Sequence, residues 1–128
     1  MTRAIAVIGT TDFATAITVN GRTLNADEPA DNGGGDTGFA PYDLLLSALG
    51  ACTAITLRMY AERKGWDLKG VQVDLHFYRV DKAEKIDRMV TVAGELSDEQ
   101  KTRLAEICER TPVTLTLKHG LDIATTLA

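Results

Sequence analysis

P-Y-D-L-L-L-S-A-L-G-A-C-T-A-I-T-L-R-M-Y-A-E-R-K, residues 41–64, is the stretch around which the rest of the chain is arranged. From Leu44 to Leu57 it carries no charge, and apolar or small residues fall on every face of a 3.6-residue period. That pattern predicts a helix buried all round, with Cys52 at its middle. The ends are legible as well. Pro41 suits the first helical position, where its missing N–H would have no partner anyway. Asp43 places negative charge in the first turn, where the helix dipole favours it. Lys64 followed by Gly65 gives a cationic last turn and a glycine cap. The uncharged run is shorter than the roughly 20 apolar residues of a membrane span, so no membrane partner is expected. Ser47, Gly50, Ala51 and Ala54 form a side of small residues that another backbone can approach closely. That backbone is either the protein's own sheet or the same helix of a second subunit.

Upstream, Ala4 to Ile8 and Phe13 to Val19 are predicted strands joined by the turn Gly9-Thr10-Thr11-Asp12. Asn20-Gly21 demands a type I′ hairpin turn, so a third strand follows through Arg22, Thr23 and Leu24. Residues 27–38 then form a glycine-rich loop. It lacks the Gly-Lys-Ser/Thr ending of a phosphate-binding loop and the spacing of a dinucleotide fingerprint, so it reads as a loop feeding the helix and bordering a site.

Downstream, Trp66 anchors the connection. Val71, Val73, Leu75 and Phe77 alternate with polar residues as a half-buried strand, Asp81 to Lys85 is a charged turn, and Val90, Val92, Gly94 and Leu96 continue the alternation on a partner strand. Ser97 with Gln100 forms a capping box, and Leu104, Ile107, Cys108 and Thr111 share one face of the helix it starts. Thr111-Pro112 has the form of a helix N-cap and first position, whereas V-T-L-T-L has strand propensity. Leu121, Ile123, Thr125 and Leu127 alternate as a last strand. Strands clustered around two helices give an α+β class in a single domain, residues 1–128.

The chain has 128 residues, 45% hydrophobic and 25% charged, with a net charge of -4. The acidic balance and the lack of any basic run argue against a nucleic-acid partner. No signal-peptide core opens the sequence, so a cytoplasmic location is expected, where two cysteines remain free thiols. No pair of metal-type ligands has a helical or hairpin spacing, and no hydrolase elbow is present; no metal and no cofactor are expected.

G-G-G-D-T-G-F-A-P-Y-D-L-L-L-S-A-L-G-A-C-T-A, residues 33–54, resembles the signature of the OsmC/Ohr superfamily, the osmotically inducible and organic-hydroperoxide-resistance proteins. R-L-A-E-I-C-E-R-T-P-V-T-L-T-L, residues 103–117, resembles that family's second motif, and the order of elements is similar throughout. The resemblance implies an intertwined homodimer with central helices packed against antiparallel sheets from both subunits. It also implies a thiol-dependent peroxidase: Cys52 attacks an organic or lipid hydroperoxide, a second cysteine closes a disulfide, and an external dithiol restores the pair.

The resemblance transfers unevenly. Cys52 stands at the peroxidatic position. The second cysteine of the family directly precedes Pro-Val, where this chain has Thr111; Cys108 lies one turn earlier and is the candidate resolving thiol. The hydroperoxidase branch has a glutamate ten residues before its cysteine, where this chain has Tyr42 followed by Asp43. Its first-turn arginine has no counterpart between Gly9 and Asp12; Arg22, in the next turn, is a candidate thiolate partner and Glu28 a further supporting candidate, although both read as solvated loop residues on their own chemistry. On residue chemistry alone Cys52 reads as a small buried hydrophobe more than two turns into its helix, so a reactive role requires positive charge brought close in space. The departures at Tyr42 and Thr111 also fit a non-catalytic binding protein of the same fold, holding an apolar or acyl ligand in a dimer cavity.

Overall fold

A computed structural model describes the whole chain, Met1 to Ala128. It divides into two compact units, Met1–Leu45 and Leu46–Ala128.

In the first unit β1 (Ala4–Ile8), β2 (Thr15–Val19) and β3 (Arg22–Ala26) form an antiparallel sheet in the order β1-β2-β3. Asn20 and Gly21 both have positive φ, 50° and 76°, as a type I′ turn requires, and Val19 pairs with Arg22 across it. β2 starts two residues later than its alternation suggests, because the Ala14 N–H turns back to the Thr11 carbonyl at 3.0 Å and leaves the ladder. β3 runs on to Ala26, where a parallel bridge to Phe39 ties the far end of the glycine loop to the sheet.

That loop is bonded to itself. A single 3-10 turn spans Ala30–Asn32 and ends at Gly33, φ 87°. Asp27, only 3% exposed, supplies its centre. Its carboxylate accepts the Thr37 hydroxyl at 2.6 Å, the Thr37 amide at 3.1 Å and the Glu28 amide at 2.7 Å. The Thr37 hydroxyl is the main cause holding the Asp27 carboxyl below its usual pKa, helped by amides of Glu28, Thr37 and Gly35 against the opposing effect of burial. The loop needs glycine where strands of backbone touch: a Cβ on Gly34 would lie 2.0 Å from the Glu28 carbonyl oxygen.

α1 (Pro41–Lys64) begins and ends where its sequence signals place it, and Asp43 caps the start by accepting the Ala40 amide at 2.9 Å. In the second unit the remainder of α1 is followed by the hairpin β4 (Gly70–Val80) and β5 (Ala83–Ala93), then α2 (Asp98–Cys108) and α3 (Pro112–His119). The hairpin turn is Asp81-Lys82 alone, since Ala83 already pairs with Val80; Asp81 takes the positive φ of 56°. The capping box of α2 is complete, with Ser97 Oγ accepting from Gln100 N and Gln100 Oε1 accepting from Ser97 N. V-T-L-T-L is helical, with Thr111 at the N-cap and Pro112 first, so the Thr-Pro start outweighs the strand propensity of the β-branched residues. Leu57, Ala61, Leu68, Leu104 and Cys108 form the core, sheltered by Tyr60, Trp66, Val71, Val90 and Val92 among others. Trp66 meets the Tyr60 ring edge-on at 5.4 Å.

Two expectations are corrected. α1 is not buried all round: only Leu49, Thr53, Leu57 and Ala61, every fourth residue, are buried, while Ile55 and Met59 are 58% and 56% exposed. One stripe meets this chain's own core, Cys52 at its edge meets α3, and the exposed Ile55 and Met59 lie off that stripe. Counting its charged ends, α1 is also long and apolar enough by length and composition to cross a membrane, a test that core helices of soluble proteins pass too. The last strand does not form. Residues 121–128 join no strand, and Leu121, Ile123 and Leu127 are 72%, 84% and 97% exposed. Alternation fixes which side chains share a face, but a strand also needs a neighbour to take its backbone hydrogen bonds.

Candidate active site around Cys52

Cys52 lies one residue from the buried stripe of α1 and is half-buried. Its sulfur is 3.9 Å from the Thr56 hydroxyl one turn on, and it accepts the Val113 N–H at 3.4 Å. Val113 is the second residue of α3. The first amides of a helix have no partner inside it and carry its positive end. Pro112 has no N–H, so Val113 offers the first donor of α3, and it is aimed at the sulfur. The donor beside the Cys52 sulfur is thus a backbone amide at the start of another helix.

A polar network in the second unit includes Thr53 and Thr114, the residues that follow Cys52 and Val113. Thr53, fully buried, donates to the Leu49 carbonyl at 2.7 Å and accepts Arg88 Nη1 at 3.0 Å. The same nitrogen donates to Thr114 Oγ1 at 2.8 Å, and Arg88 Nη2 donates to the Cys108 carbonyl at 2.9 Å. Thr114 reaches that carbonyl at 3.3 Å and shares a 2.5 Å hydrogen bond with Thr111, which is fully buried. No buried polar side-chain atom is left without a partner.

Cys108 contributes its carbonyl to this network, while the residue belongs to the apolar core with Leu57 and Leu104. Burial pushes the Cys108 thiol up from its ordinary pKa, with nearby Arg88 opposing in part. Both cysteines are free. Of the other expected site residues, Thr111 is in the network as a buried hydroxyl. Arg22, Glu28, Tyr42 and Asp43 belong to the first unit: Arg22 is exposed opposite Val19, Glu28 accepts Asn32 Nδ2 at 3.2 Å, Tyr42 is 46% exposed and Asp43 caps α1.

Sequence reasoning missed Arg88. The signal was present: carrying the inward alternation of Val92 and Val90 two residues back reaches Arg88, a charge on an apolar strand face whose side chain is only 13% exposed. Val113 acts through its backbone and gave no signal.

Residues 33–126 match the family described as OsmC-like protein. The chain belongs to the OsmC-like family. Solved structures agree on the fold. An OsmC-like protein from Mycoplasma pneumoniae superposes with a TM-score of 0.80 at 18% identity, covering 92% of this chain and 87% of its own. An organic hydroperoxide resistance protein OsmC from Legionella pneumophila gives 0.68 at 18%, covering 92% and 89%. The organic hydroperoxide resistance protein OhrB of Bacillus subtilis gives 0.60 at 21%, covering 95% and 93%. Identities this low establish the shared fold alone. No curated protein matches the sequence significantly. The OsmC-like match includes all of α1 and all of α3, the two helices that meet at Cys52.

Proposed function

We propose that this OsmC-like chain is a thiol-dependent peroxidase reducing organic or lipid hydroperoxides through Cys52. The observation that carries the reading is the half-buried Cys52 sulfur accepting the amide of Val113 at the start of α3. Family membership and the fold shared with organic hydroperoxide resistance proteins support it. The Cys52 thiolate attacks one oxygen of the hydroperoxide, the O–O bond breaks, and the alkoxide leaves and takes a proton to become an alcohol. Cys52 is then a sulfenic acid. A second thiol displaces hydroxide, which leaves as water, and forms a disulfide; an external dithiol reduces that disulfide. Cys108, the only other cysteine, is the internal candidate for the second thiol. Its burial weighs against that assignment and in favour of the external dithiol acting directly on Cys52. The exposed Ile55 and Met59 of α1 and the alternation from Leu121 to Leu127 support a homodimer that covers them, and two free thiols suit a cytoplasmic setting.

Thiol loss on adding stoichiometric cumene hydroperoxide tests this. Wild type and Cys108→Ser should both consume the oxidant quickly, and Cys52→Ser should not. Retention of the rate in Cys52→Ser refutes the reading. A second reading, a binding protein that holds an apolar or acyl ligand at a dimer cavity, rests on the exposed apolar Ile55 and Met59 of α1; the open cavity of about 490 Å³ beside Arg88, lined mainly by charged residues such as Glu84, Lys85, Asp87 and Lys118, does not suit such a ligand. A mass spectrum of gently purified, then denatured, protein tests it, and finding no co-purified small molecule counts against it.

A further inference from the structure

We infer that Arg88 is the positioning residue of the Cys52 site: it fixes α1, the end of α2 and the start of α3 so that the Val113 amide stays on the sulfur. The inference deepens the peroxidase reading and rests on it for its catalytic meaning. Arg88 lies on β5 opposite Leu75, and its side chain passes inward through an apolar face. Its guanidinium then bonds three separate helices. Thr53 on α1 immediately follows Cys52; Thr114 on α3 immediately follows Val113; the Cys108 carbonyl closes α2. The two residues in contact at the site, Cys52 and Val113, each have as next neighbour a threonine held by the same nitrogen, Nη1.

Neutral alternatives do not do this. A guanidinium offers five N–H donors in a planar fork, so it can serve three acceptors in fixed directions at once. The acceptors here are two hydroxyls and a carbonyl; the one nearby carboxylate, Glu109, is 3.9 Å from Nη2 and is held by Lys118 at 2.8 Å. The three-way connection, rather than neutralisation of an acid, is what the buried charge serves. An apolar residue at 88 would leave Thr53, Thr114 and the Cys108 carbonyl each short of a donor, and the start of α3 free to shift relative to α1. A shift of about 1 Å at a reacting centre can cost on the order of 100-fold in rate.

The test is alkylation of Cys52 by iodoacetamide in the folded full-length protein, read peptide by peptide, beside the cumene hydroperoxide rate. Arg88→Ala should slow Cys52 alkylation roughly tenfold and the peroxidase rate at least as much. Arg88→Lys should recover part of both. Guanidinium ion at millimolar concentration should partly rescue Arg88→Ala, because Arg88 lines the open cavity described above; a merely structural loss would not respond to it. Thr114→Val, which removes one acceptor and little volume, should slow alkylation several-fold and stands in if Arg88→Ala does not fold. Cys52 alkylation unchanged or faster in the folded variants overturns the inference. Alkylation needs no hydroperoxide, so a wild type without peroxidase activity but with an Arg88-dependent alkylation rate would remove the peroxidase reading and leave Arg88 in place.

Discussion

The Val113 amide donates to the Cys52 sulfur at 3.4 Å, joining positions 61 apart in sequence at the junction of two helices. Cys108 sits in the apolar core, its thiol pKa raised by burial. The two thiols should therefore differ in reactivity. In native protein at neutral pH, iodoacetamide should modify Cys52 roughly tenfold or more faster than Cys108, because the thiolate is the reacting form and access is required. Equal rates in urea and unequal rates in buffer, followed by peptide mass spectrometry, check this; equal rates in both would remove the distinction.

Cys108 also sets an alkaline limit. Burial holds the proton on its thiol, so above about pH 8.5 the folded state keeps a proton that the unfolded state has released. The stability this group contributes is full below that pH and is lost as pH rises through the raised folded value. Cys108→Ala should cost about 1 kcal/mol at pH 7 through lost burial. The gap between wild type and variant in urea unfolding should narrow on going from neutral to strongly alkaline pH. A constant gap would mean that the thiol does not titrate differently in the two states.

Asp27 has the opposite sign. Its carboxyl is held low by the Thr37 hydroxyl and neighbouring amides, so the folded state favours the charged form. The stability it contributes is full above about pH 4, the unfolded value, and is lost as pH falls through the lower folded value. Asp27→Asn should lower the thermal midpoint at pH 7, and the two proteins should converge in acid. Parallel curves down to the acid limit would show that the loop does not depend on the charge.

Two glycines of the first unit, Gly34 in the Asp27 loop and Gly9 in the turn after β1, are unequal. Gly34→Ala places a Cβ 2.0 Å from the Glu28 carbonyl oxygen, whereas a Cβ on Gly9 meets nothing within 4 Å. Gly34→Ala should destabilise by about 3 kcal/mol, the upper end for overpacking, and Gly9→Ala should be close to neutral. Chemical denaturation of the pair measures the difference, and similar values for both would contradict the close approach.

Whatever was written in short-range signals could be read from the sequence. Pro41, Asp43 and Gly65 bound α1; Asn20-Gly21 forces its turn; Ser97 and Gln100 start α2. Each of these is decided by neighbours within a turn or two. The site was less legible because its parts come from distant positions. Cys52 was visible, but the group that faces it is a backbone amide, and every residue except proline has one. Arg88 was visible only to an alternation followed in both directions along β5. Leu121 to Leu127 carried a strand pattern with no partner on the chain to complete it, and Ile55 and Met59 carried apolar character that this chain alone does not cover.

The guanidinium of Arg88 also bears on how the second unit opens. Freeing α3 from α1 would strip Nη1 of Thr114, and freeing the end of α2 would strip Nη2 of its carbonyl. None of the three helices can loosen at this point without leaving a cation short of acceptors in a poorly solvated place, a cost the other two then share. Fluctuations here are collective: amide protons at the first free turn of α3, the middle of α1 and the close of α2 exchange with solvent through one opening event, with one common free energy.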